Sequence, residues 1–124
     1  MRLVFADSEL AAVEVAGEVV RLRFAAAAVE PSVAGEEHGY LLGLVVECRG
    51  ARLEGDAHQG FGRVLDGALS DGAVRMRHLE LPFERAGQLR LVLTLAHGQA
   101  LVVHAASIHA VPGAGTPFRP SLAC

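Results

Sequence analysis

Apolar and polar residues alternate along much of the chain, which is the pattern of a strand with one buried face. The stretch VVRLRFAAA places Arg21 and Arg23 on one side and apolar residues on the other. In QLRLVLTLA the same period of two collects four leucines on a single face: Leu89, Leu91, Leu93 and Leu95. One segment, ADSELAAVEVAGE, could be read as a helix, but its valine spacing fits a short strand better. The pattern predicts an all-β protein.

Turn-forming residues interrupt these runs about every ten residues, as in sandwiches and barrels. The spacing predicts a two-sheet antiparallel β-sandwich, or a flattened barrel, of about eight to ten short strands. Residues 1–111 show no change of composition and are predicted to form one domain. Residues 112–124 are rich in Pro, Gly and Ala, which predicts an irregular or flexible tail.

The stretch LTLAHGQALVVHAASIHA is predicted to be a hairpin with a two-residue turn at HG or GQ. Such a turn pairs odd positions of the first strand with even positions of the second. His104 would then face the leucine-rich core as a neutral histidine bonded to a backbone carbonyl; the alternative is a functional base or ligand that lines a pocket. In an unbroken strand His109 would point the opposite way, so the two histidines, with His97 at the turn, are not expected to share a metal ion.

The other face of this hairpin is more apolar than a solvated sheet requires. We expect it to be covered by a second copy of the chain, and its apolar residues are the predicted interface: Val92, Leu101, Val103 and Val111.

A second hairpin is predicted at ECRGARLEG, with its turn at Arg49-Gly50 and Glu47 facing Arg52. This turn would bring His38 and His58 to the same end of the hairpin. With Asp56, these side chains are the best candidates for a metal site, because imidazole and carboxylate are common metal ligands. The alternative is that they are ordinary polar loop residues.

Charge and cysteine content exclude several classes of partner. The chain has 124 residues, with 14 acidic side chains against 11 basic ones, all of them arginine. No basic stripe is visible, so we expect no nucleic-acid partner. No run approaches the ~18 apolar residues of a membrane span, so we expect no membrane partner. Cys48 and Cys124 form no spaced framework, which predicts free thiols and a cytoplasmic location.

Sequence motifs of catalysis are missing: there is no Gly-x-Ser-x-Gly, no HExxH and no CxxC. We therefore expect a non-enzymatic interaction or assembly module without a cofactor. It would self-associate as a dimer and bind a protein or a small apolar ligand. The alternative is a β-barrel that binds a metal or small ligand through His38 and His58, and that could be an enzyme.

Overall fold

A computed structural model describes residues 1–121 of the chain. The described part contains twelve β-strands, one three-residue 3₁₀ helix and no α-helix, so the prediction of an antiparallel all-β fold is confirmed. Several strands are only three residues long, and for this reason there are more than the predicted eight to ten. The strands are β1 (Arg2–Val4), β2 (Glu9–Ala16), β3 (Val19–Glu30), β4 (Gly39–Leu41), β5 (Val45–Arg49), β6 (Arg52–Glu54), β7 (Gly62–Asp71), β8 (Val74–Met76), β9 (His78–Glu80), β10 (Phe83–Leu95), β11 (Ala100–Ala110) and β12 (Phe118–Pro120), and the 3₁₀ helix spans Ala57–Gln59.

The strand pairings form a closed ring. It runs β2–β3–β5–β11–β10–β7 and returns to β2, and every pairing in it is antiparallel. The remaining strands extend this ring at its margins. β1 and β4 add to β3, β9 adds to β1, β12 to β4, β6 to β11 and β8 to β7.

Alternate side chains of the ring strands form the core, as the period of two predicts. On β3 the residues Val20, Leu22 and Phe24 are fully buried. The four leucines of β10 are also buried and lie on the same face.

The β10–β11 hairpin differs from the sequence-based prediction in the length of its turn. Leu95 donates its N–H to the carbonyl of Gln99 at 2.8 Å, so the loop has three residues, and Gly98 takes the left-handed conformation there with φ 96°. An odd loop pairs odd positions with odd ones, and Leu93 therefore lies opposite Leu101.

This turn corrects the predicted faces of β11. Leu101 and Val103 are each 1% exposed and belong to the core, so they are not available to an interface. His104 lies on the outer face, where 34% of its side chain is exposed, and it is not a core histidine.

The hairpin predicted at Arg49-Gly50 is also wrong. Arg49 pairs with Ser107 and Arg52 with His104, so β5 and β6 continue along the same strand, β11, without a change of register. Gly50 lies between these two strands at φ 56°, where the chain is locally irregular but does not reverse its direction. Glu47 consequently does not face Arg52.

At this irregularity the inside–outside alternation slips by one residue on two neighbouring strands. On β11 both Ala105 and Ile108 are buried although they are three residues apart, and on β5–β6 the same holds for Cys48 and Ala51. The facing strand β10 matches the slip with a bulge at 87–88, where the register shifts between Ala86 and Leu89. As a result His104 and His109 lie on the same, outer face.

The segment predicted as an irregular tail contains a short strand. Phe118–Pro120 forms β12 and pairs with β4, and Leu42 donates its N–H to the carbonyl of Pro117 at 2.9 Å. Residues 122–124, including Cys124, lie outside the described residues. Within residues 1–121 the fold has no helix with the length and hydrophobicity that a membrane crossing requires.

Candidate functional site

The outer surface above the slip forms a shallow trough across β5–β6, β11 and β10. It consists of two adjoining depressions of about 570 and 520 Å³. The residues at their junction are small or lack a side chain, and we call them the floor of the trough: Gly50, Ala86, Gly87, Ala106 and Ser107. The floor is low because the slip and the bulge coincide with glycine and alanine.

One side of the trough, here the basic wall, consists of Arg52, His104 and Arg90. These residues come from three strands, and they share one cross-strand row because Arg52 pairs with His104 and His104 with Arg90. The row continues through Ser70 on β7 to Arg75 on β8. It crosses five neighbouring strands, or roughly 19 Å at ~4.8 Å per strand.

The opposite side, here the acidic wall, consists of Glu47, His109 and Glu84. Arg49 and Arg85 line the same depression, where they are paired with Glu47 and Asp71. The three residues of the acidic wall also share one row, because Glu47 pairs with His109 and His109 with Glu84. His104 and His109 are five residues apart on β11, which separates the two walls by roughly 16 Å at ~3.3 Å per residue.

The carboxylates near the trough are largely neutralised within the chain. Glu47 accepts hydrogen bonds from Arg49 at 2.7 Å and Arg21 at 2.9 Å, and these bonds lower its pKa. Glu54, beside the basic wall, accepts from His104 at 2.9 Å and Arg52 at 3.1 Å, which lowers its pKa in the same way.

Arg90 differs from the other arginines of the trough. Within residues 1–121 it takes part in no ion pair or side-chain hydrogen bond, whereas Arg49 and Arg52 both contact a carboxylate. On the acidic wall, Glu84 is 74% exposed and contacts His109 at 3.2 Å. Arg90 and Glu84 are therefore the charged groups of the walls that are most open to a ligand.

The bonds to Glu47 predict a pH effect. A carboxylate whose pKa is lowered in the folded state contributes stability above its unfolded pKa of ~4.3, and that stability is lost as the pH falls through the folded pKa. We therefore expect Glu47→Gln to lower the urea midpoint at pH 7 and to have a smaller effect near pH 3. Glu37→Gln, which changes an exposed carboxylate outside the trough, is the control. An equal loss at both pH values for Glu47→Gln would contradict this role of the arginine pairs.

The residues predicted to bind metal lie at different places in the fold. Asp56 caps the 3₁₀ helix by accepting a hydrogen bond from the N–H of His58 at 2.9 Å. This helix follows β6 and packs beside β2, where Gly60 lies against Val13. His38 precedes β4 at the other end of β3.

The separation between these positions can be followed along β3. Val13 pairs with Leu22, and Gly39, the neighbour of His38, pairs with Val29. Leu22 and Val29 are seven residues apart, or roughly 23 Å at ~3.3 Å per residue. The structure does not bring His38 and His58 together, and within residues 1–121 no three His, Cys, Asp or Glu side chains form a group that could hold a metal ion.

The three histidines of the β10–β11 hairpin contact different groups. His97 donates to the carbonyl of Phe61 at 3.0 Å, and the two rings lie 4.9 Å apart at an angle of 32°. His104 contacts Glu54, and His109 contacts Glu84. The buried thiol of Cys48 has a pKa raised to about 12, chiefly by desolvation, so it stays protonated and is a poor nucleophile.

The predicted interface residues are divided between the core and the surface. Leu101 and Val103 are in the core, Val92 is half-buried on the outer face, and Val111 is 43% exposed. Val92 pairs with Val102, and together they form an apolar strip next to the basic wall.

Sequence reasoning missed both walls because their residues lie far apart along the chain. Only the strand register places Arg52 beside His104 and Arg90. The fold and trough define an all-β protein with an open, charged groove on its sheet surface. Comparison with known protein families, with curated proteins and with solved structures found no match.

Proposed function

We propose that the chain is a non-enzymatic interaction module that binds an extended segment of a partner protein in the trough. The observation that carries this proposal is the floor of glycine, alanine and serine between two charged walls. Where a floor lacks large side chains, the backbone of another chain can approach closely. Outside their sheet neighbours, no element of residues 1–121 makes extended contact with β10 or β11, so this surface is open.

The trough suits an extended peptide better than a small apolar ligand or nucleic acid. A small apolar ligand needs an enclosed apolar cavity, whereas this groove is open and its walls are charged. Nucleic acid would place phosphates against Glu84, and neither wall carries a phenylalanine, tyrosine or tryptophan on which a base could stack.

Self-association as a dimer is the second proposal kept from the sequence. Leu101 and Val103 do not support it, because both are buried in the core. Val92 in the apolar strip and the exposed Val111 remain available to a second copy. A second copy is therefore the competing occupant of the outer face, and the experiment below distinguishes it from a peptide.

Metal binding through His38 and His58 has little support, because the turn that would have joined them does not form. A cytoplasmic location remains a proposal, and it is supported by the free thiol of Cys48.

The test is to fill the trough. Ala106 is an exposed residue of the floor, and Ala106→Trp places a large side chain there without disturbing the core. Ala11→Trp, at an exposed position of β2, is the matched control. A library of random extended peptides is selected against the immobilised wild-type protein, and the affinities of the selected peptides are measured by fluorescence anisotropy.

We expect Ala106→Trp to weaken the selected peptides about tenfold or more, equivalent to ~1.4 kcal/mol, and Ala11→Trp to leave them unchanged. Failure to select any peptide, or equal binding by both variants, would refute the proposal. A wild-type dimer that Ala106→Trp converts to a monomer in sedimentation analysis would assign the trough to a second copy instead.

A further inference from the structure

The two walls carry opposite charges, and this difference restricts the sequence of a peptide that can bind between them. In the extended conformation, successive side chains of a peptide point to opposite sides of its backbone. A peptide lying along the floor would therefore direct alternate residues to the basic wall and to the acidic wall.

We infer that the trough selects an extended segment in which acidic and basic residues alternate, with the acidic residues against Arg90 and the basic residues against Glu84. This inference rests on the proposed function. Its basis is that Arg90 lacks a carboxylate partner within residues 1–121 and that Glu84 is 74% exposed. A ligand can therefore form an ion pair with Arg90 or with Glu84 and leave every arginine–carboxylate pair of the described residues intact.

The arrangement of the charges favours a peptide of alternating charge over a peptide that is uniformly acidic or uniformly basic. A uniformly acidic segment would meet Glu84 on one side, and a uniformly basic segment would meet Arg90 on the other. Like charges placed against each other are costly and discriminate strongly between ligands. Only a segment with opposite charges on its two sides complements both walls.

The row of the basic wall sets the size of the probe. The trough itself crosses three strands, or roughly 10 Å at ~4.8 Å per strand, and the row continues from Arg52 to Arg75 over roughly 19 Å, which corresponds to about six extended residues at ~3.3 Å each. The probes are two fluorescent hexapeptides of identical composition, EKEKEK and EEEKKK. In the extended conformation the first places all its glutamates on one side, whereas the second mixes both charges on each side.

We expect the wild-type protein to bind EKEKEK about tenfold more tightly than EEEKKK, with a preference that decreases as salt is added. Arg90→Glu should abolish the preference, because the basic wall then repels the glutamates. Arg63→Glu is the control with the same charge change, at an arginine that contacts Asp7 outside the trough.

Equal binding of the two hexapeptides by the wild type, or an unchanged preference in Arg90→Glu, would overturn the inference. Selection of library peptides that Ala106→Trp weakens, together with either of these results, would leave the binding module intact and reject only the charge pattern. If no peptide of any sequence is bound, the proposed function itself fails.

Discussion

Replacing Val103 with lysine is expected to unfold the chain, whereas the same change at the adjacent Val102 should be tolerated. Val103 is 1% exposed and lies opposite Leu91 in the core, so a lysine there would have to bury its ammonium group without a partner. Burial of an unpaired charge is among the few single changes that cost more than about 4 kcal/mol, which is comparable with the whole stability of many small domains. Val102 is half-buried on the outer face and pairs with Glu54, which a lysine could contact.

Circular dichroism and urea unfolding of the two variants measure this difference. Because the substitution is identical, propensity and net charge are matched, and only the direction of the side chain differs. A folded Val103→Lys protein beside an unfolded Val102→Lys protein would show that the two-residue turn predicted from the sequence is correct and that the three-residue loop is not.

Gly67→Ala is expected to destabilise the protein by about 2 kcal/mol through overpacking. A Cβ atom at Gly67 would lie 2.5 Å from Cβ of Phe5 and 2.8 Å from Cδ2 of Leu93. Both neighbours are buried, at 0% and 1% exposure, so neither can move aside without disturbing the core. The loss should appear as a lower urea midpoint with an unchanged slope.

Gly115→Ala is the control for this prediction, because a Cβ there would meet nothing within 4 Å. Its stability should lie within about 0.5 kcal/mol of the wild type. If Gly67→Ala were as stable as Gly115→Ala, the close approach of β7 to Phe5 would not be a real feature of the core.

The strands could be predicted from the sequence wherever the alternation is regular. The faces of β3 and β10 follow from Leu22, Phe24 and Leu91, because a strand with one buried side has a single possible parity. The faces of β11 could not be predicted, since AHGQ is compatible with loops of two or three residues and a change of one residue inverts every side chain that follows.

Gly50 illustrates a second limit of sequence reasoning. A glycine in the left-handed conformation serves equally well in a hairpin turn and in a bulge, and the change of parity around it is the same in both. The pairing of β5 and β6 with β11 decides between the turn and the bulge, and this long-range pairing cannot be recognised from the local sequence. The trough depends on this same pairing, so its walls could not be predicted even though each of their residues is polar and visible in the sequence.

The slip on β11 and β5–β6 and the bulge on β10 compensate one another across three adjacent strands. An insertion or deletion of one residue in any of these strands would leave its neighbours out of register, and a matching change in the other strands would be needed to restore the fold. Substitutions at the same positions carry no such requirement. As the sequence diverges, the number of residues beneath the trough should therefore change far more slowly than their identity.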